Sequence, residues 1–238
     1  LCTVCLALFS ATQFSLLALE PILLQSVYHY TALNCGMALL PMGICSSISI
    51  GISSALMNKF KVKYILAAGI TLCMLGSHYL STMTLQAAKT NFLIANSILG
   101  FGMGFFMVPL SVYALAKIPT KDTTDGSGLF SYGRMLGTSV GISLMITLVT
   151  RETQINWNRL GSNINMYNNN LTRWLQYHHG SIHNAATLSN LQQTLFAQAY
   201  FQAFIDAFHL ASITFLIMIP LILLMKNVTL DKNAEIHH

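Results

Sequence analysis

Two carboxylates and one arginine stand inside long apolar runs of this 238-residue sequence, and they are the groups whose chemistry most needs a reason. Glu20 immediately precedes Pro21 and is the one charged residue of 1–24. A carboxylate in hydrocarbon is costly and is expected to face a cavity, where it can accept a proton or a cationic molecule. Pro21 removes a helix hydrogen bond and frees a carbonyl, so polarity and a kink coincide there. The competing reading puts Glu20 at the lipid headgroups. Asp206 and His209 are i, i+3 neighbours near one end of the last apolar run, a spacing that suits a structural pair or, alternatively, a proton relay. Arg134 lies five residues inside the run 129–150, about 7.5 Å at 1.5 Å per residue. It either snorkels to the surface or forms an ion pair or latch with a carboxylate elsewhere. His78, alone in its run, reads as a hydrogen-bonded helix contact. The sequence has no metal-cluster spacing, nucleophile elbow or His-Glu-x-x-His.

Glycines form the second pattern. Leu99-Gly100-Phe101-Gly102-Met103-Gly104 begins like a dinucleotide fingerprint, but the third glycine of G-x-G-x-x-G would fall on Phe105. Gly100 and Gly104, four apart, instead share one helix face and make a helix-packing or pore-lining surface. Gly133, Gly137 and Gly141 repeat that spacing over two turns, leaving bare backbone for close helix approach and for sliding against another bundle. Gly43, Ser47 and Gly51 are expected to repeat the device. Five cysteines lie in or beside apolar runs; Cys2-Thr3-Val4-Cys5 matches C-x-x-C without the context of a redox or zinc site, and no disulfide framework is implied.

The elements that carry these residues are set by composition. The chain is 54% hydrophobic and 8% charged, against about 25% charged in a soluble domain. The stretches 1–24, 33–57, 64–85, 92–116, 129–150 and 200–225 are each at least as long as the ~20 residues a membrane-crossing helix needs. The expected fold is therefore all-α and integral to the membrane, with six transmembrane helices. The net charge of +5 is read by position and is no argument for nucleic acid. Lys59, Lys61, Lys63, Lys117, Lys121, Lys226 and Lys232 fall on one side, against Lys89 in the short opposite loops, which makes both ends of the chain cytoplasmic by the positive-inside tendency. The expected organisation is five spans over 1–150, a long periplasmic loop over 151–199, a last span over 200–225 and a cytoplasmic tail over 226–238. Within the loop, Leu188, Leu191, Leu195 and Phe196 mark an amphipathic helix leading into the last span. That loop is either a cover over the outer mouth or a surface for an adaptor. Asn170-Leu171-Thr172 matches a glycosylation sequon, which chance supplies readily in a loop with nine asparagines. A start at Leu1, already inside an apolar run, suggests a fragment.

The segment 100–151 carries a more specific signature: a glycine-rich span ending in Pro109, an Ile118-Pro119 turn, Gly126-Ser127-Gly128, then Arg134-Met135-Leu136-Gly137-Thr138-Ser139-Val140-Gly141. A second set is Pro21-Ile22-Leu23-Leu24-Gln25, Tyr30-Thr31-Ala32, Gly36 and Leu40-Pro41-Met42-Gly43. In order and spacing these resemble the C-terminal half of the fourteen-span drug:proton antiporters of the major facilitator superfamily, the EmrB/QacA group. The resemblance covers nearly the whole chain. It departs between the second and third spans, where the usual charged signature is reduced to Asn58-Lys59-Phe60-Lys61-Val62-Lys63.

The resemblance implies one bundle of a two-bundle carrier in the bacterial inner membrane, exporting amphipathic or cationic small-molecule drugs against protons, with no cofactor. Its implied partners are the missing N-terminal half, a periplasmic adaptor protein and an outer-membrane channel. It places the first and fourth spans on the cavity, which puts Glu20, Gln13, Gly100, Gly104 and Pro109 on the substrate and proton pathway, and gives Gly133, Arg134, Gly137 and Gly141 roles in packing or gating. Two other functions stay open: a transport-inactive membrane protein with a structural or partner-binding role, and an intramembrane enzyme built on Glu20, Asp206 and the histidines.

Overall fold

A computed structural model describes residues 2–115, 123–162, 173 and 185–224. The Ile118-Pro119 turn, Lys117, Lys121, the sequon at Asn170 and the tail with Lys226 and Lys232 lie outside the described residues. Six helices follow one another: α1 (Cys2–Ser26), α2 (Ala32–Met57), α3 (Val62–Ser81), α4 (Lys89–Leu115), α5 (Thr123–Ser162) and α6 (Ala185–Leu223). All six are long and apolar enough to cross a membrane, and no strand occurs among the described residues. The chain is a multi-pass, all-helical membrane protein, consistent with half of a major facilitator-like fold.

Each helix must satisfy its own backbone in lipid, and its polar side chains follow the same rule. Thr12 donates to the Leu8 carbonyl and Ser97 to that of Leu93, each one turn back, so these two hydroxyls need no partner outside their own helix. At the open end of α2 the Thr31 hydroxyl caps the helix by accepting from the Asn34 N–H. Pro21, Pro41, Pro109 and Pro220 all lie within helices.

Packing joins α1 to α5, α2 to α4, α3 to both α4 and α6, and α5 to α6. Exchanging the first three helices for the last three maps the α1/α5 pair onto α4/α2. Because consecutive spans alternate in direction, the two three-helix units are inverted relative to each other, a repeat pattern common in secondary transporters. At the centre, the Phe9 ring of α1 stacks on Phe106 of α4 at 4.1 Å and meets Phe215 of α6 at 5.9 Å. Both α2 and α5 keep an apolar face uncovered, including Leu40, Ile44 and Ile48 on α2 and Leu129, Val140 and Leu144 on α5.

Helix α5 has 40 residues and α6 has 39, so each is roughly 60 Å long, about twice the ~30 Å hydrocarbon thickness. The stretch 151–199, read from the sequence as a loop whose later part is an amphipathic helix, is helical at both ends: α5 runs to Ser162 and α6 begins at Ala185. Arg151-Glu152-Thr153-Gln154 and the residues that follow are polar but contain no proline before Ser162, and nothing at a membrane surface obliges a helix to stop. The two helices therefore project together beyond the bundle and pack on each other, Trp157 of α5 meeting Phe196 of α6 edge to face at 5.9 Å.

Candidate functional site

Two parallel helix pairs build the site. On α4, the row Asn96, Gly100, Gly104 faces Ala38, Met42 and Ser46 of α2, a constant offset that shows the two helices run in the same direction. A side chain at Gly100 would strike the Met42 backbone, and one at Gly104 would stand 2.8 Å from the Ser46 carbonyl oxygen. On α5, the row Gly133, Gly137, Gly141 faces Thr3, Ala7 and Ala11 of α1 in the same manner, with backbone against backbone at the last two. Thus Gly100 and Gly104, expected on a route for substrate, lie under α2, and the α5 glycines lie under α1. The device does not recur at Gly43 and Gly51, which have open space where a side chain would go. The reason is angular: the α2 face that meets α4 carries Met42, Ser46 and Ser49, and Gly43 is one residue, or about 100°, further round.

Glycine contact brings α4 close enough to α2 for Asn96 to do two things. Its Nδ2 donates to Oε1 of Glu20 at 2.5 Å and to the Ala38 carbonyl at 3.1 Å, so one amide joins α1, α4 and α2. Glu20 is 1% exposed and Asn96 0%. The carboxyl is thus enclosed among α1, α2 and α4. Among the described residues no charged group acts on Glu20. The one side-chain hydrogen bond it accepts among the described residues comes from that neutral amide.

Below this carboxyl the same face of α1 carries Gln13 and Ser10, two and three turns away. Both are buried, and neither the Gln13 amide nor the Ser10 hydroxyl has a hydrogen-bond partner among the described residues. The Oδ1 of Asn96 is likewise unpartnered. Pro109 is buried further down α4.

The remaining expected residues are elsewhere. Arg134 is exposed on α5. Asp206 and His209 are both exposed on α6; the Asp206 carboxylate accepts from Nε2 of Gln202 at 3.2 Å, and the His209 ring lies 6.4 Å from that of His78 on α3. No hydrogen bond between Asp206 and His209 occurs among the described residues. Asn96 was missed in the sequence. It is the one amide side chain in the charge-free stretch 92–116, and it stands four residues before Gly100 on the same helix row.

No family model matches the chain. Among curated relatives, the chain is 24% identical over 218 residues to the multidrug export protein EmrB of Haemophilus influenzae, covering 89% of this chain and 42% of that protein. It is 22% identical over 214 residues to the probable multidrug resistance protein EmrY of Escherichia coli K12, covering 88% of this chain and 41% of the relative. With an uncharacterized MFS-type transporter of Bacillus subtilis, YhcA, it shares 28% over 142 residues, covering 60% of this chain and 27% of the other. The chain is related to EmrB-type transporters of the major facilitator superfamily. It spans well under half the length of these relatives, and its described residues include six helices long and apolar enough to cross a membrane.

Proposed function

We propose that the chain is the C-terminal bundle of a proton-coupled multidrug efflux transporter that exports amphipathic or cationic small molecules across the bacterial inner membrane. The observation that carries this is the enclosed Glu20 carboxyl, held by a neutral amide at the head of a column of unpartnered polar groups. The names of the relatives as multidrug export and resistance proteins support the substrate class. In this reading the uncovered faces of α2 and α5 receive the N-terminal half, and the two bundles rock about the Glu20 level. A proton on Glu20 releases a bound cation, and loss of that proton resets the site. Arg134, exposed on α5, serves as a latch to a carboxylate of the other half, and the α5/α6 projection meets a periplasmic adaptor leading to an outer-membrane channel.

The test is uptake of a fluorescent cation into inverted vesicles carrying the full-length transporter. Uptake is expected with an imposed proton gradient and is expected to collapse when a protonophore is added; uptake that survives the protonophore overturns proton coupling.

Orientation is tested separately. In an otherwise cysteine-free transporter, a cysteine at Ser189 on the α6 projection is expected to react with an impermeant thiol reagent added to intact cells. A cysteine at Lys59, between α2 and α3, is expected to react only after lysis. The opposite pattern would invert the topology.

A further inference from the structure

At the end of the bundle where α1 closes, the α5/α6 projection leans over the α1–α2 connection and encloses an open cleft of ≈ 610 Å³. That is within the range of small-molecule sites, roughly 300–1,000 Å³. Three aromatic rings form its wall. Phe196 and Tyr200, one turn apart on α6, are nearly parallel, 5.8 Å between centroids at 13°, and Trp157 of α5 meets Phe196 edge to face. Phe196 is 51% exposed, so a ring face that would be expected to seek cover remains open to a ligand. Gln192 and Gln193 of α6 supply neutral donors and acceptors at the rim, and among the described residues the lining contains no Asp, Glu, Lys or Arg. Two further hollows, of ≈ 380 and ≈ 280 Å³, share Trp157 with the cleft.

His29 completes the lining, and its backbone is unusual. With φ of 54° it is the one non-glycine residue among those described with positive φ. That conformation is cheap for glycine and costs free energy for other residues, and such strain gathers at ligand clamps and binding sites. Here it holds an imidazole at the mouth of an aromatic cleft. The combination of ring faces, neutral hydrogen-bonding groups and absent charge selects shape and stacking over ion pairing; a cationic ring system gains further from the aromatic faces.

We propose that this cleft binds planar aromatic amphiphiles. Resting on the export reading above, it is a station beyond Glu20 that a molecule meets after passing the α1 terminus at Ser26. The competing role for Trp157 and Tyr200 is that of lipid-interface anchors.

The test uses the 238-residue chain in lipid nanodiscs and ethidium as the probe, followed by fluorescence anisotropy with empty nanodiscs subtracted. Saturable binding is expected. Phe196→Ala is expected to weaken it about tenfold with helix content unchanged, on the scale of losing one well-packed aromatic contact. His29→Gly is expected to weaken binding while thermal stability holds or rises, since glycine adopts the left-handed conformation without strain. Leu75→Ala, exposed on α3 and outside the lining, is expected to bind as the parent does. Only non-saturable partition, equal affinity in Phe196→Ala, or displacement by dodecanoate as readily as by an acridine would overturn the site or its aromatic class. If instead ethidium binds in this manner while the full-length transporter exports nothing, the cleft stands and the export reading fails.

Discussion

Glu20→Gln in the full-length transporter is expected to abolish export of cationic substrates from mildly acidic to mildly basic pH, a loss of about tenfold or more, equivalent to at least ~1.4 kcal/mol in the coupled step. The substitution keeps the size and the acceptor facing Asn96 but can neither lose nor gain a proton. Neutral substrates, which do not compete for a carboxylate, should suffer less. Glu20→Asp keeps the acid on a side chain one methylene shorter, drawing it away from an amide it now meets at 2.5 Å, so partial activity with a displaced pH optimum is expected. Asn96 enters the same test. Asn96→Leu removes the donor from an enclosed carboxyl and leaves the Ala38 carbonyl without its extra bond, costing of order 1–3 kcal/mol for each buried group left unpaired. If Asn96 acts only through Glu20, then Asn96→Ala placed on top of Glu20→Gln should change export little further, a non-additivity that independent sites do not show. Parental cation export by Glu20→Gln at every pH would remove Glu20 from the coupling mechanism.

The second large effect belongs to the α1/α5 seam. A methyl group at Gly141 would collide with the backbone of Ala11, and one at Gly137 with that of Ala7. Backbone cannot rotate away as a side chain can, so Gly141→Ala should push the two helices apart and destabilise the bundle by about 1–3 kcal/mol, with Gly141→Leu worse. The control is Gly43, also helical and membrane-embedded, where nothing lies within 4 Å of the added carbon. There Gly43→Ala should be neutral or stabilising for the isolated chain, because glycine is the poorer helix former. The measurement is resistance to unfolding in a graded mixture of mild and denaturing detergent, followed by circular dichroism. Equal stability of Gly141→Ala and Gly43→Ala would show that the seam tolerates the methyl and that the glycines are not there for close approach.

Much of this was open to reading in the one-dimensional pattern. Six apolar runs, each longer than the bilayer needs, leave a backbone in hydrocarbon no option but helices that satisfy themselves, and so the number of spans and the all-α class follow from composition. The four-residue glycine rows likewise announce bare helix faces, since spacing alone decides what shares a face. What spacing cannot state is the partner. Gly133, Gly137 and Gly141 meet α1, and Gly100 and Gly104 meet α2, while Gly43 and Gly51 of the same type and period meet nothing in this chain. That depends on which way each helix is rotated, and rotation is set by all the neighbours together.

Hydropathy also ended α5 at the membrane edge, because it reports solvent preference and is blind to a polar helix that simply continues, whereas the spacing of Leu188, Leu191, Leu195 and Phe196 did announce a helix ahead of the last span. Glu20 could be singled out from sequence, as a charge in lipid always can. Its enclosure by three helices and its attachment to Asn96 could not, for the two residues are 76 positions apart and only the α2/α4 glycine contact brings that amide to the carboxyl and to Ala38 at once. Sequence thus determined the solvent in which this chain folds, the elements that solvent permits and the charge it must hide; tertiary structure alone decided what the charge is hidden against, since contacts between distant segments follow from packing geometry and leave no local trace.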